Sequence, residues 1–359
     1  MYLHSLSIKG WRNYKEESVQ FSQGINLFLG NNGQGKTNLL EAIYFLSCGQ
    51  SPRTVKTEEL INWNGRYFYL KGEVYKGEYR NIIEMGGARD GRRVNKIDGT
   101  PLQRLAEVSG LLNAVFFMPE DLFLVKGGPA ARRRFLDLEI GQISKAYRFT
   151  VGNYNKFLRE RNALLKSKSQ DKILLQVLTE KIADLSGPIV EMRSKYLQRL
   201  SVLARLQHRK LTGNREELNL RYKWSIEPGL SRQEILKRYT ATRALEQQYK
   251  STMVGPHKDD FSFNINDSDL RAYGSQGQQR TAVLSIKLAE IELIKAETNE
   301  YPLLLLDDVF SELDEDRKAL LLDYLTDKVQ TFISSAEPLP PKAKVAPYWI
   351  EAGSISERI

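Results

Sequence analysis

The sequence feature that most constrains this chain is the segment Gly30-Asn31-Asn32-Gly33-Gln34-Gly35-Lys36-Thr37, which matches the pattern GxxxxGK(S/T) at every position. Residues 25–29 precede it as a mostly apolar strand, and apolar residues between 39 and 46 follow it at helical spacing. Glycines in this setting let main-chain N–H groups turn toward a phosphate, and the helix start adds partial positive charge. The segment therefore predicts a nucleotide-phosphate site in an α/β domain, with Lys36 reaching the terminal phosphates and Thr37 ligating Mg²⁺.

The second half of such a site is an apolar strand that ends in acidic residues. The leucines at 303–306, followed by Asp307 and Asp308, fit this description. Asp307 would hold the Mg²⁺ through water, and the Asp308 carboxylate could accept a proton from the attacking water. Taken alone, the two aspartates fit a helix N-terminus or a solvated turn equally well. Their pairing with the phosphate loop favours the metal site.

A third segment lies between these two halves. Gly274-Ser275-Gln276-Gly277-Gln278 precedes an amphipathic helix with apolar residues between 283 and 293. A serine and a glycine at such a start present a hydroxyl and free amides to an anion. Taken alone, the segment is better explained as a capped surface helix.

The predicted content of strands and helices divides the chain into three regions, 1–128, 129–250 and 251–359. The first region is strand-rich, with a turn at Asp98-Gly99 and candidate strands at 5–8, 24–29, 67–75, 81–85 and 92–97. Alternating apolar and polar residues over 67–75 predict a half-exposed antiparallel sheet. The second region has few helix breakers and predicts a helical insertion whose two arms could each have about 40 to 50 residues. The third returns to strands and helices and ends in a Pro-rich stretch at 338–341.

The predicted fold class is therefore α/β. We expect a P-loop domain with a mixed parallel and antiparallel sheet, and a mostly helical region inserted between the two halves of the nucleotide site.

Composition is that of an ordinary globular chain, with 41% hydrophobic and 27% charged residues and a net charge of +9. These values exclude a disordered or fibrous protein, and the basic balance is compatible with a polyanionic partner. Apolar runs are far shorter than the ~20 residues of a membrane span, and the N-terminus lacks the order of a secretory signal. We therefore expect a cytoplasmic protein without a membrane partner. Packing best explains the lone Cys48, and three scattered histidines offer no metal-ligand spacing.

Together these segments resemble the ATP-binding-cassette (ABC) ATPases, and more closely their DNA-repair branch, which includes the chromosome-maintenance (SMC) proteins. Residues 274–278 look like the ABC signature motif, and Ser311-Glu312-Leu313-Asp314 looks like the D-loop. Four further segments are similar to the RecF family of bacterial recombination mediators: Trp11-Arg12-Asn13-Tyr14 and residues 117–122, 255–260 and 307–314. This resemblance spans essentially the whole chain.

The resemblance implies a homodimer that sandwiches ATP, with Lys36 and Asp307 of one copy facing the signature segment of the other. Because the γ-phosphate would offer hydrogen-bond acceptors to both copies, ATP would stabilise the dimer and hydrolysis would release it. The predicted catalytic residues are Lys36 and Asp308, and the predicted metal ligands are Thr37 and Asp307. The predicted ATP-binding residues are Arg12, Asn13, Gly30, Asn31, Asn32, Gly33, Gln34, Gly35, Lys36, Thr37, Asn38, Ser275, Gly277 and Gln278.

By the same resemblance the dimer is a weak, DNA-stimulated ATPase that binds single-stranded and duplex DNA at gap junctions. It would work with RecO and RecR to load RecA. Basic clusters offer phosphate contacts, although each alone is better explained as a solvated face. The clusters are Arg89, Arg92, Arg93 and Lys96; Arg132, Arg133 and Arg134; Arg205, Arg209 and Lys210; and Arg221 with Lys223.

Some residues depart from the wider ABC pattern. Asp308 stands where transport ATPases usually carry a glutamate, and its side chain is one methylene shorter, so we expect slow turnover. Ser334 and Ser335 follow a strand after which many members carry a switch histidine, whose charged role a hydroxyl cannot take. The Mg²⁺-sensing glutamine is hard to place, because residues 118–120 (Met-Pro-Glu) occupy its expected position. His257 is tempting as a catalytic histidine, but its Gly-Pro-His setting favours a structural turn.

Two functions remain open from the sequence. The first is a DNA-binding ATPase whose hydrolysis resets a clamp. The second is a partner-recruiting scaffold that ATP holds together, with incidental hydrolysis. The ATPase subunit of a transporter is disfavoured by the strand-rich first region and by the long helical insertion.

Overall fold

The computed structural model describes residues 1–167, 171–312, 321, 329–337 and 345–357. It divides the chain into two compact units. The first comprises Met1–Asp121 and Glu290–Ile359, and the second comprises Leu122–Ala289. Both ends of the chain therefore contribute to one unit, and the second unit is inserted between them.

The described residues of the first unit form two six-stranded sheets. The antiparallel sheet consists, in spatial order, of β2 (Tyr14–Gln20), β1 (Tyr2–Trp11), β4 (Tyr67–Lys76), β5 (Tyr79–Ala88), β6 (Arg93–Ile97) and β7 (Thr100–Pro101). The other sheet consists of β15 (Ser354–Ser356), β14 (Val345–Glu351), β3 (Ile25–Leu29), β13 (Thr331–Ser335), β12 (Leu303–Asp307) and β8 (Ala114–Phe117). All pairs in this second sheet are parallel except β14 with β15. The predicted mixture of parallel and antiparallel pairing is confirmed.

The strand patterns follow from which faces are buried. In β4 the apolar Phe68, Leu70 and Val74 are buried and alternate with more exposed polar residues, as expected for a sheet with one solvated face. All five residues of β12 are buried, which explains its continuous run of leucines. Asp98 and Gly99 both adopt positive φ and make the predicted turn after β6.

Helix α1 (Lys36–Cys48) packs on the parallel sheet. Its apolar residues at 39, 40, 43 and 46 are fully buried, and Cys48 is buried with them. The prediction that Cys48 has a packing role is confirmed.

The second unit is mostly helical. Its helices are α2 (Leu122–Lys126), α3 (Pro129–Ile143), α4 (Lys145–Lys166), α5 (Lys172–Thr212), α6 (Arg232–Ala241), α7 (Arg243–Tyr249), α8 (Leu270–Tyr273) and α9 (Gln276–Thr298), which runs past the division at Ala289. Two helical arms of about 40 to 50 residues were predicted. Only α5, with 41 residues, reaches this length among the described helices, and α4 has 22 residues.

A small sheet in the second unit departs from the sequence-based division. Strand β10 (Asp260–Ile265) pairs antiparallel with β9 (Leu218–Lys223) on one side and with β11 (Ser268–Asp269) on the other. Because β9 lies within the predicted helical region and β10 lies beyond it, this long-range pairing places residues 251–289 in the second unit. The boundary drawn at 250 and 251 does not appear in the structure.

Candidate nucleotide-binding site

The phosphate loop lies between β3 and α1, where the sequence places it. Gly30, Gly33 and Gly35 have φ values of 152°, 82° and 121°, a region that residues with a side chain rarely adopt. At Gly30 an added Cβ would lie 2.3 Å from the carbonyl oxygen of Ile350. The path of the loop therefore requires glycine.

Three predicted ATP-binding residues hold this loop in place. Asn13 donates from Nδ2 to the carbonyl oxygen of Gln34 at 2.8 Å, and its Oδ1 accepts from Nδ2 of Asn38 at 2.9 Å. The Gln34 side chain accepts the backbone N–H of Ala352 at 2.6 Å. These contacts show a supporting role for Asn13, Gln34 and Asn38, while their contact with ATP stays a prediction.

Arg12 is fixed by a buried carboxylate of α1. Its guanidinium donates to both carboxylate oxygens of Glu41, at 2.9 and 2.7 Å, and to the carbonyl oxygen of Glu59 at 2.7 Å. Such a two-pronged contact holds the guanidinium in one orientation. Arg12 is thereby presented at the edge of a cavity beside the phosphate loop.

The Lys36 ammonium lies against the loop that precedes it. Nζ donates to the carbonyl oxygens of Gly30 at 2.5 Å and Asn31 at 3.0 Å. Burial lowers the pKa of Lys36, and the nearby Asp308 and Asp307 oppose that shift. The Lys36 ammonium is therefore held against the glycine loop, and the two aspartates favour its charged form.

Thr37 and Asp307, the two predicted metal ligands, contact each other. The Thr37 hydroxyl lies 2.9 and 2.7 Å from the two carboxylate oxygens of Asp307, and Ser334 donates to the same carboxylate at 2.6 Å. Burial raises the pKa of Asp307, while the hydroxyls of Ser334 and Thr37 lower it. Hydroxyl and carboxylate oxygens are hard donors that suit Mg²⁺. Among the described residues no cluster of three or more His, Cys, Asp or Glu could hold a metal ion.

Ser334 has a role that sequence reasoning missed. Strand β13 lies between β3 and β12, and Ser334 is paired with Asp307 in the parallel register. The backbone N–H of Asp308, which has a φ of 51°, lies 3.0 Å from the Ser334 hydroxyl. At the position where a switch histidine was sought, Ser334 thus positions both aspartates. The signal that could have found it is its place at the end of a neighbouring parallel strand.

Arg53 is a second residue that the sequence did not single out. Its guanidinium donates to Oδ1 of Asn38 at 3.1 Å and lies 3.5 Å from Glu41 and 3.9 Å from Glu120. Glu120 occupies the segment where the Mg²⁺-sensing glutamine was sought, and its charge contributes to the raised pKa of Asp307. Arg53 therefore connects the start of α1 with that segment.

A cavity of 490 Å³ adjoins the loop through Asn13 and Asn38. Trp63, which is 90% exposed, stands at its border. The cavity is lined by Arg12, Asn13, Asn38, Arg53, Glu58, Glu59, Ile61, Trp63 and Arg89.

The signature segment forms a capped helix start in the second unit. The Ser275 N–H donates to Oε1 of Gln278 at 2.9 Å, and the Gln278 N–H donates to Oγ of Ser275 at 3.2 Å. Ser275 and Gly277 are exposed. This geometry agrees with the capped surface helix considered above, and the facing of a second copy stays a prediction.

His257 has a structural role, as favoured from its Gly-Pro-His setting. Its Nδ1 accepts from the Tyr154 hydroxyl at 2.7 Å, and its Nε2 donates to the carbonyl oxygen of Thr252 at 3.0 Å. Burial lowers the pKa of His257 to about 4. The imidazole is therefore neutral near pH 7 and both of its nitrogens are used.

The basic clusters differ in how far they are free to meet a polyanion. Arg132 is buried and donates to both oxygens of Asp260, at 2.6 and 3.0 Å, so it does not lie on a solvated face. Arg209 and Arg221 form ion pairs with Glu217 and Asp267. The exposed arginines Arg89, Arg92 and Arg93 surround the turn between β5 and β6.

Two sequence interpretations lie outside the described residues. These are the second half of the D-loop, at residues 313 and 314, and the Pro-rich stretch at 338–341. Within the part of the chain that the structure describes, no helix is both long enough and apolar enough to cross a membrane.

A glycine loop before α1, an acidic end on a buried parallel strand, and a helical insertion with a capped serine segment define an ABC-type P-loop ATPase fold. Comparison with known proteins identifies the family within this class of ATPases. The model of the RecF/RecN/SMC N terminal domain family matches residues 2–339. The DNA replication and repair protein RecF of Macrococcus caseolyticus is 43% identical over 343 residues, which are 93% of either chain. RecF of Geobacillus thermodenitrificans is 43% identical over 349 residues, covering 93% of this chain and 92% of the relative.

Solved structures agree. The structure of the recombination mediator protein RecF-ATP in the RecFOR pathway is 37% identical, with a TM-score of 0.92 over 100% of this chain and 98% of the other. The SMC head bound to the C-winged helix domain of ScpA, at 16% identity and a TM-score of 0.56 over 99% of this chain and 96% of the other, shares the fold alone. This chain belongs to the RecF family of ABC/SMC-like ATPases, as its motifs indicated.

Proposed function

We propose that this chain is an ATP-dependent DNA-binding protein of recombinational gap repair that hydrolyses ATP slowly. The observation that carries the proposal is the contact between the Thr37 hydroxyl and the Asp307 carboxylate, at 2.7 and 2.9 Å, directly after the phosphate loop. A hydroxyl and a buried carboxylate in this position are the protein ligands that a Mg²⁺–triphosphate requires.

The nucleotide would occupy the loop and the adjoining cavity. Main-chain N–H groups and Lys36 would bind the phosphates, and the cavity bordered by Arg12 and Trp63 would receive the nucleoside. When bound, Mg²⁺ would neutralise charge on the β- and γ-phosphates. The Asp308 carboxylate would orient the attacking water and take its proton. Its side chain is shorter than the usual glutamate, which supports slow turnover.

ATP would also hold two copies together. The exposed Ser275 and Gly277 offer a hydroxyl and a backbone amide that the phosphate loop of a second copy would complement. Since γ-phosphate oxygens would accept hydrogen bonds from both copies, ATP would favour the dimer and hydrolysis would weaken it.

DNA is the proposed macromolecular ligand. Exposed arginines at the β5–β6 turn supply sequence-independent phosphate contacts suited to single-stranded and duplex DNA at a gap junction. Related proteins are named for DNA repair and for the RecFOR pathway, which supports RecO and RecR as partners. The outcome would be the loading of RecA. Such work would take place in the cytoplasm, with the chromosome.

The second candidate is an ATP-stabilised scaffold that recruits RecR with incidental hydrolysis. The observation in its favour is the local structure around Asp308. Asp308 itself has a left-handed backbone conformation, with a φ of 51°, and Ser334 stands where a switch histidine would be.

Replacing Asp308 by Asn distinguishes the two functions. If hydrolysis resets a clamp, Asp308→Asn should abolish turnover, retain ATP-dependent dimers in sedimentation velocity, and stop partner loading after one cycle. Lys36→Ala is the control for lost phosphate contacts and should fail to form the dimer. Undiminished loading through repeated cycles by Asp308→Asn would contradict the clamp and favour the scaffold. If the wild-type protein stays monomeric when it is saturated with a nonhydrolysable ATP analogue, both the clamp and the scaffold are contradicted.

A further inference from the structure

A chain of side chains connects the signature tip, defined as residues 274–278, with the end of α5. Gln278 donates from Nε2 to Oε1 of Glu216 at 2.8 Å, and the other Glu216 oxygen lies 3.2 Å from Nε2 of His208. His208 is fully buried, and its Nδ1 lies 3.0 Å from Oγ of Ser285. Since Gln278 and Ser285 are both on α9, the network leaves this helix and returns to it.

His208 contacts Glu216 from the buried side. In the ring tautomer that satisfies both of its contacts, Nε2 donates to the Glu216 carboxylate and Nδ1 accepts from the Ser285 hydroxyl. The same hydroxyl lies 2.7 Å from the carbonyl oxygen of Thr281. A hydrogen bond to a carboxylate is stronger than one between neutral groups, so the contact holds Glu216 in one orientation.

Gln278 transmits this constraint to Ser275. Its amide nitrogen is held by Glu216, which directs its Oε1 to the backbone N–H of Ser275. The backbone N–H of Gln278 in turn donates to the hydroxyl oxygen of Ser275. The hydroxyl proton of Ser275 therefore remains to be donated to a phosphate oxygen. Without Glu216 the Gln278 amide would be free to rotate, and both of its contacts with Ser275 would loosen.

We propose that Glu216 is a positioning residue for the signature tip, which it holds through Gln278 in the geometry that meets the ATP of a second copy. His208 orients Glu216 from the buried side. This inference rests on the proposed ATP-dependent dimer. It goes beyond that proposal because Glu216 and His208 lie outside the predicted nucleotide site.

The test compares variants at neighbouring positions of the full chain. Glu216→Ala removes the acceptor of Gln278. Glu216→Gln keeps an oxygen for Gln278 and an amide group that can hydrogen-bond to His208, so it preserves the network without charge. Glu217→Ala is the matched control, since Glu217 is adjacent in sequence and pairs instead with Arg205 and Arg209. Thermal denaturation confirms that each variant is folded.

Sedimentation velocity with ATPγS measures the dimer. We expect Glu216→Ala to weaken dimerisation at least ~10-fold, because a hydrogen bond to a charged group is lost. Nucleotide binding by the monomer should be unchanged, and Glu216→Gln and Glu217→Ala should dimerise like the wild type. In a double-mutant cycle, Glu216→Ala should add no further loss to Ser275→Ala, because both act on the same contact. Additive losses, or equal losses in Glu216→Ala and Glu216→Gln, would overturn the proposal.

Hydrogen exchange of the monomer provides a second readout that does not depend on dimerisation. The amides of Ser275 and Gln278 should exchange faster in Glu216→Ala than in the wild type, and unchanged exchange would overturn the positioning role. If the wild type failed to dimerise, the proposed function would fall while exchange still decided the role of Glu216. The two failures are therefore distinguishable.

Discussion

At the scale of single residues, the surroundings of Asp307 act in opposite directions on its charged carboxylate. Burial disfavours the charged form, and hydrogen bonds from two hydroxyls favour it. Burial raises its pKa, and the hydroxyls of Ser334 and Thr37 only partly offset that shift. The folded protein therefore binds a proton at Asp307 at a higher pH than the unfolded chain does. Its burial disfavours folding above the folded-state pKa, and that cost disappears as the pH falls toward the unfolded value. Protonation also removes a metal ligand, so Mg²⁺-dependent nucleotide binding should weaken as the pH falls through the raised pKa.

Ser334→Ala should make this weakening begin at a higher pH. The substitution removes the 2.6 Å hydrogen bond to Asp307, so the pKa of Asp307 should rise further. Titration with a fluorescent ATP analogue and Mg²⁺, repeated from neutral to acid pH, measures the shift. Ser335→Ala is the matched control, because the Ser335 hydroxyl accepts from the Glu337 N–H instead. Identical pH profiles for Ser334→Ala and the wild type would contradict this account.

At the scale of elements, one buried ion pair connects three helices of the second unit. Arg161 on α4 donates to Glu246 on α7 at 2.6 Å and to the Thr179 hydroxyl on α5 at 3.0 Å. Both charged side chains are almost fully buried. Removing one partner of such a pair leaves the other as an uncompensated buried charge, which costs more than losing the contact alone.

Arg161→Leu should therefore lower the free energy of unfolding by about 3 to 5 kcal/mol. Urea denaturation followed by circular dichroism measures the loss. Arg232→Leu is the control, because Arg232 pairs with Asp184 at the surface and should cost at most ~1 kcal/mol. Comparable losses in the two variants would show that the buried pair does not stabilise the helix assembly.

At the scale of the whole molecule, the net charge of +9 does not say which surface would bind DNA. The positions of the exposed and unpaired cations are more informative. Arg132 is buried, and Arg209 and Arg221 are paired with acidic residues. The β5–β6 turn, in contrast, presents Arg89 and Arg93 to solvent. This turn is therefore the surface at which we expect phosphate contacts.

Arg89→Ala and Arg93→Ala should each reduce the salt dependence of DNA binding. Loss of one phosphate contact should lower the magnitude of the slope of log K against log salt concentration by about one. Fluorescence anisotropy with gapped duplex DNA at several salt concentrations gives the slope. Lys237→Ala, an exposed cation on α6, serves as the control and should leave the slope unchanged. An unaltered slope in both arginine variants would remove this turn from the DNA interface.

The sequence by itself determined the features that depend on neighbours along the chain. The glycine loop, the acidic strand end, the alternation in β4 and the capped start of α9 were all predictable. Each depends on backbone geometry or hydrogen bonds that span only a few residues.

Only the tertiary structure decided the features that depend on partners distant in sequence. The register of β13 beside β12 brings Ser334 into contact with Asp307. The pairing of β9 with β10 places residues 251–289 in the second unit. The contact with Asp260 pairs the buried charge of Arg132. A side chain's type limits which contacts it can make, but the packing of separate elements selects the partner. That selection depends on register and burial, which no local pattern encodes.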